Sequence, residues 1–425
     1  MWNECGPADG KDGRGLAMTE PVGALDGIRV LDLGRILAGP TCTQLLGDLG
    51  ADVIKVEHPS KGDDTRKWGP PYVKDKKGED STESAYYLCA NRNKRSVTVD
   101  ISRPEGRDLV RGLLGSCDVL IENFKVGKLE EYGLAYGQLK PDFPRLIYCS
   151  ITGFGQTGPY APQAGYDFLA QGMGGIMSVT GEPDGPPVKV GVGIADVMCG
   201  MYATVAILAA LRHRDRTGEG QYIDLGLLDT QVAWLINVGL NYLTSGEVPR
   251  RLGTAHPNIV PYQLFPTEDG HIILAVGNDT QFRRFCELAG APEMASDPRF
   301  ETNAERVRNR ETLVPLIENL TRRHPNRYWL EGLNRLGVPC GPVNDIAQVF
   351  ADPQVQHRQM AIEMPHPLAG DGVVRLIGNP IKFSATPVVY RRSPPTLGQQ
   401  TDEVLEELLG LDEDERASLR ARRVI

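Results

Sequence analysis

At 425 residues the chain exceeds the size at which one hydrophobic core usually suffices, so two lobes are expected. A hydrophobic content of 41% and a charged content of 24% exclude a disordered or fibrous chain. The formal net charge of -9 excludes whole-surface attraction to nucleic acid or an anionic membrane, so neither is expected as a partner, and any anionic ligand must be held by a local basic pocket.

The N-terminal stretch, MWNECGPADGKDGRGLAMTEP, has neither a basic n-region nor an apolar h-region, and residues 1–24 read as a flexible extension of a cytoplasmic protein. Ile28 to Leu33 is a short apolar run typical of a buried strand. After GRILAG, Pro40 suits the first position of a helix that closes at Gly50 before a second strand, ADVIKVE. Strand, helix and strand in about thirty residues form a βαβ unit, which winds into a parallel sheet. The dinucleotide fingerprint GxGxxG is missing, so neither nicotinamide nor flavin is expected.

His58 to Tyr72 is rich in Gly, Pro and Asp and reads as an irregular surface loop or a wall of a ligand pocket. Asn91 to Ile101 passes from a basic cluster, expected to be a solvated turn, into strand alternation. A second βα step follows, ending in the strand DVLIENF. Asn123, Phe124 and Lys125 then lie at that strand's carboxyl end, where open α/β sheets bind ligands. Pro144 to Gly155 gives a further strand and glycine-bearing loop.

The stretch from Ala164 to His213 organises the rest. A glycine-spaced segment brings Asp196 to the start of an almost uncharged run, Val197 to His213, which reads as a core helix because it is short for a membrane span and contains Gly200. Two readings of Asp196 are open at this point. As an N-cap it would accept hydrogen bonds from the first free N–H groups of the helix; as a nucleophile it would be kept ionised by the same groups and the helix dipole.

Beyond a strand and helix in GQYIDLGLLDTQVAWL, the character changes at about Thr244 to turns, short alternating strands and charged helices, the pattern of a second lobe. The tail contains a β-like patch near GDGVVRLIGNPIKFS. Thr401 is expected to cap a final amphipathic helix closed by Gly410, whose apolar stripe needs the large lobe as partner. The eight cysteines form no CxxC pair and the seven histidines no paired-ligand spacing, so buried thiols and no metal are expected.

Several motifs together resemble the class III CoA-transferase family: LDGIRVLDLGRILAGP, GADVIKVEHPSKGDDTR, NRNKRSV, ENF, SITGFGQTGP, the stretch around Asp196, GTAHPNIVPYQ, GVPCGPV and PPTLGQQTDEVL. They keep the family's order from Leu25 to about Leu405, and the likeness is nearest the branch that uses succinyl-CoA and dicarboxylates such as glutarate. The resemblance implies an α/β fold with a large Rossmann-like, CoA-binding lobe over residues 25–243. It implies a smaller inserted α+β lobe over 244–350, a segment 351–425 returning to the large lobe, and an interlocked homodimer. The implied activity is CoA transfer from an acyl-CoA, with coenzyme A entering as substrate.

In that family the catalytic aspartate matches Asp196, which turns the balance toward nucleophile. Tyr166 stands where the racemase branch carries a histidine; a phenol with an ordinary pKa near 10 is a poor acid-base partner, so transfer is favoured over proton exchange at an α-carbon. Racemisation of an acyl-CoA, and CoA binding without catalysis, are the alternatives. The family's glycine-bearing oxyanion loop matches Gly253 to His256; His256 is equally read as a turn histidine. For CoA the resemblance implies Leu37, Ala38, His58, Asn123, Phe124, Lys125 and the turn ending in Asp167. His58 and Glu131 stand where the formyl-CoA branch has arginines, so Lys94, Arg95, Lys125 and Lys128 are the candidates for the CoA phosphates. A dicarboxylate needs a second cationic clamp, for which Arg35 and Arg66 are the candidates.

Overall fold

The structure, a computed structural model, describes residues 23–425, so all but the end of the expected N-terminal extension lies outside the described residues. Six strands build one parallel sheet: β1 (Arg29–Asp32), β2 (Asp52–Glu57), β3 (Lys94–Thr98), β4 (Val119–Glu122), β5 (Ile147–Thr152) and β6 (Tyr222–Gly226). Their order across the sheet is β3-β2-β1-β4-β5-β6. The central strands β1, β4 and β5 carry buried apolar residues on both faces, as a sheet covered on two sides requires.

Alternation assigns neighbours on one strand to different layers. Leu31, Ile54 and Leu120 belong to one core, while Val30, Val53, Val119 and Cys149 belong to the other. Helix α1 (Ala38–Asp48) follows β1, with Pro40 as its third residue rather than its first; the position still lies in the first turn, where a missing N–H is harmless. Helix α2 (Pro104–Leu114) covers the first core. The second core is covered by helix α4 (Ile194–Thr217), which is preceded by the short α3 (Asp167–Met173) and followed by α5 (Leu227–Ala233) and α6 (Ile236–Ser245). Helix α4 is long and apolar enough to cross a membrane, but more than half of that span is buried, the packing of a core helix.

A separate core, built around Phe265, Phe285 and Trp329, lies between an antiparallel sheet and four helices. That sheet comprises β7 (Tyr262–Pro266), β8 (His271–Ala275) and β9 (Cys340–Gly341) in the order β9-β8-β7. The chain then returns to the large sheet. Asn93 accepts from the N–H of both Arg391 and Arg392, and helices α7 (Thr401–Leu409) and α8 (Glu413–Ala421) supply Val404, Leu405 and Leu419 to the first core. Gly410 closes α7 in the left-handed region at φ 67°, as its sequence position predicts. Thr401 is not the cap; its hydroxyl accepts from Thr98 N–H at 3.0 Å and ties α7 to β3.

Candidate active site

Leaving β1, the chain turns through Gly34 to Leu37 and enters α1; leaving β4, it runs through Asn123 to Val126. These two segments face each other across a cavity of about 340 Å³, further lined by Thr152, Gly165, Tyr166 and Asp196. β1 and β4 are the neighbouring strands from which connections depart in opposite directions, the crevice where open α/β sheets receive ligands. The two segments are joined by an amide clamp: Asn123 Oδ1 accepts from Arg35 N–H at 2.9 Å and its Nδ2 donates to Arg35 O at 2.7 Å.

Asp196 is the third residue of α4 and only 8% exposed. It is not the helix cap. That work falls to Asp167, whose Oδ1 accepts from the N–H of Ala195 at 2.8 Å and of Asp196 at 3.3 Å, while its Oδ2 accepts from Gln171 Nε2 at 2.7 Å. Both Asp167 oxygens are thereby engaged and the side chain is not in the cavity wall, which corrects its assignment as a CoA contact. The Asp196 carboxylate, by contrast, accepts no hydrogen bond among the described residues. Burial, together with the negative charge of Asp167, pushes its pKa up to about 7. Desolvation and the like charge of Asp167 thus oppose the ionised form that the helix terminus favours.

Tyr166 precedes α3, is largely exposed and lines the cavity. Tyr86, in the segment after the hairpin Tyr72–Lys74 and Asp80–Ser84, lies outside the cavity wall but within electrostatic reach of Asp196. Its phenol is pushed up to about 12 by burial and by the charge of Asp196, and its ring meets Trp68 edge-on at 5.1 Å. Nothing in the local sequence marks Tyr86, because only the crossing of two distant connections brings it near Asp196.

Leu37, Ala38, Phe124, Lys125 and Lys128 all line the same cavity. The Lys125 side chain is exposed and has no polar partner among the described residues, whereas Lys128 pairs with Glu131 at 2.6 Å. A second cavity of about 320 Å³ holds His58, Lys61, Asp100 and Ser102, and shares Arg35 and Phe124 with the first. His58 Nε2 stands 4.0 Å from Asp100 Oδ2. Arg35 is half exposed and pairs with Asp64 at 3.0 Å.

Three expected cations are elsewhere. Lys94 is fully buried and donates to Asp32 Oδ2 at 3.1 Å and Pro40 O at 3.1 Å; burial draws its pKa down to about 8 against the pull of Asp32. Arg95 pairs with Asp52 and Glu407, each at 2.5 Å. Arg66 is buried between Glu57 and Glu83, each at 2.7 Å, and donates to Tyr87 Oη at 2.6 Å. All three are corrected as ligand contacts, since their charge is consumed inside the fold. The basic NRNKR run is likewise a buried ion-pair network rather than a wet turn.

Gly253 occupies the left-handed region at φ 59°, which explains the glycine, but its N–H donates to Gly181 O at 3.0 Å, so in this arrangement it is not a free oxyanion donor. His256 takes the turn reading: its Nδ1 accepts from Asn258 N–H at 3.1 Å, its own N–H donates to Tyr262 O at 2.9 Å, and it is absent from both cavities. No group of His, Cys, Asp and Glu suited to a metal occurs among the described residues.

A family model described as CoA-transferase family III matches residues 25–401. A succinate--glutarate CoA-transferase of Agrobacterium fabrum is 52% identical over 385 residues, covering 90% of this chain and 95% of its own. A succinyl-CoA:glutarate CoA-transferase of Mus musculus is 44% identical over 407 residues, covering 94% and 91%. The crystal structure of a CAIB/BAIF family protein from Brucella suis superposes with a TM-score of 0.79 at 50% identity, covering 91% of this chain and 100% of that one.

Proposed function

The chain belongs to the CoA-transferase family III and is an enzyme that transfers CoA, and on that footing we propose that it moves CoA from succinyl-CoA to glutarate through a covalent adduct on Asp196. One observation carries the reading: a buried carboxylate with no hydrogen-bond donor among the described residues, its basicity raised, faces the cavity at the sheet's switch point. A carboxylate with a pKa near neutrality is a stronger nucleophile than an ordinary one and is still ionised in a large fraction of molecules.

The steps balance without an external proton or ATP. An Asp196 oxygen attacks the thioester carbonyl, the C–S bond breaks, and a succinyl-aspartyl anhydride and CoA thiolate result. The thiolate attacks the aspartyl carbonyl and releases succinate, leaving an aspartyl-CoA thioester. A glutarate carboxylate attacks that thioester, CoA thiolate leaves again, and its attack on the glutaryl carbonyl gives glutaryl-CoA and restores Asp196.

The Asn123 to Lys128 segment and the His58 cavity form the CoA channel in this reading, with Lys61 and Lys125 as exposed cations. Arg35 is the clamp for the distal carboxylate, since it lines both cavities and its ionic partner among the described residues, Asp64, is exposed. The working unit is a homodimer, interlocked as the family resemblance implies. Its support here is the number of large apolar side chains that α4 and α6 leave exposed, Val205, Ile236, Leu240 and Leu243 among them.

Mass spectrometry of succinyl-CoA incubated with a panel of mono- and dicarboxylic acids tests the reaction: glutaryl-CoA is expected, and hydroxylamine or borohydride trapping should mark Asp196. Wild-type transfer by Asp196→Ala would sink the covalent mechanism. Deuterium entry at the α-carbon without exchange of the acyl carrier would replace it with racemisation.

A further inference from the structure

The wall of the cavity contains a backbone irregularity that the mechanism above does not use. Ile36, between Arg35 and Leu37, has φ 71°, a left-handed conformation that β-branched residues avoid because the branched Cβ crowds the backbone. Such a residue stays there only where its surroundings hold it.

The surroundings are a set of buried charges. Asp63 Oδ1 accepts from Ile36 N–H at 3.2 Å, and the same oxygen accepts from Thr65 N–H at 3.0 Å and Thr65 Oγ1 at 2.8 Å. Its other oxygen accepts from Lys55 Nζ at 2.9 Å, with both side chains fully shielded from solvent. Lys55 also donates to Gly34 O at 2.8 Å, and Asp32 Oδ1 accepts from Gly34 N–H at 2.8 Å. Asp63 N–H in turn donates to Glu57 Oε2 at 2.9 Å, and Arg66 donates to both oxygens of that carboxylate, at 2.8 Å and 2.7 Å. The turn is thus pinned at Gly34 and Ile36 by residues from β1, β2 and the loop after β2.

The pinning reaches the site. Leu37, the next residue, lies against Gly193 at the start of α4: a Cβ at Gly193 would come within 3.2 Å of Leu37 Cδ2. Asp196 stands three residues further on.

We infer that Asp63, oriented by Lys55, is a positioning residue that holds Ile36 left-handed and so sets the Ile36 to Ala38 wall against both the acyl-CoA and the turn of helix that carries Asp196. This rests on the proposed binding of acyl-CoA in the cavity. Glycine adopts φ near +70° unaided, so the need for Asp63 should fall when Ile36 is replaced by glycine.

The experiment is a double-mutant cycle on the full chain with Asp63→Asn and Ile36→Gly, reading KM for succinyl-CoA, kcat, and the dissociation constant of free CoA by calorimetry. Asp63→Asn in the otherwise wild-type chain should weaken CoA binding about tenfold, and in the Ile36→Gly background less than about threefold, the size of loss that a small misplacement of binding groups produces. Should Asp63→Asn fail to fold, Asp63→Glu keeps the anion for Lys55, displaces the acceptor from Ile36, and reads the same coupling. Equal losses in both backgrounds, with CoA bound by the wild type, overturn this inference alone; they would mean that Asp63 acts on stability without steering the turn. No CoA binding by the wild type overturns the proposed function and this inference with it.

Discussion

Asp196 and Asp167 divide between them two tasks that the sequence assigned to one residue. The cap is supplied from α3, twenty-nine positions upstream, so Asp196 keeps its oxygens free and carries the cost of burial in its basicity. If the attacking species is the anion, kcat/KM for succinyl-CoA should rise with pH through an inflection near 7. Asp167→Asn retains an acceptor for the helix N–H groups while removing the like charge, so the inflection should move to lower pH; an unmoved inflection would show that Asp167 does not couple to the titrating group. The stability sign is opposite. The folded chain binds this proton more tightly than the unfolded chain, so the Asp196 contribution to stability falls as pH rises from about 4 to about 7. Arg35 and Arg66, equivalent in the sequence as loop arginines, separate by burial. Arg66→Met should cost about 3–5 kcal/mol in urea denaturation because it strands Glu57 and Glu83. Arg35→Ala should leave stability nearly unchanged and raise the KM for glutarate about tenfold, the loss of one charge-assisted hydrogen bond. A residue's type was legible here and its partners were not, because a salt bridge depends on which strands become neighbours.

The elements themselves were largely legible. β1, α1 and β2 follow from an apolar run, an early proline and a closing glycine, and α4 from an uncharged stretch ahead of HRDR. What a local pattern does not give is the closeness of two helices. Gly200 faces α1, and a Cβ there would stand 2.6 Å from Ala38 O and 3.0 Å from Thr41 Cβ. Gly200→Ala should therefore lower stability by about 1–3 kcal/mol, although alanine has the better helix propensity. Because Ala38 lines the cavity and Asp196 lies one turn before Gly200, the same substitution should also reduce kcat. A stabilised Gly200→Ala protein, measured by its urea midpoint, would mean that the two helices do not pack as closely as this. The NRNKR run teaches the same lesson from the other side. As a pattern it is a charged turn, but it runs into β3, whose first two residues are its Lys94 and Arg95, at a place where the C-terminal segment folds over it; Asp48, Asp32 and the Ile377 carbonyl of the returning chain take up charges of Arg92 and Lys94.

At the scale of the whole molecule, α4 is apolar on all sides from Val197 to Leu211 yet leaves Met201, Tyr202 and Val205 exposed, and α6 leaves Leu243 at 75% exposure. Light scattering should report twice the chain mass. Leu240→Glu with Leu243→Glu should halve it or drive aggregation; a wild-type monomer would count against the dimer. Composition, apolar runs and glycine punctuation were enough to specify the alternating α/β lobe, the second core and the place of Asp196 at the head of a buried helix, because these depend on local backbone preference and on which faces must leave water. The ordered motifs carried the family. Only the tertiary structure decided which carboxylate caps and which does not, which arginine is exposed at the cavities and which is buried between carboxylates, and that the Ile36 turn is held by Lys55 and Asp63. Each of these is a pairwise electrostatic or steric fact between residues far apart in the chain, and its sign is set by burial, which exists only once the sheet has been assembled.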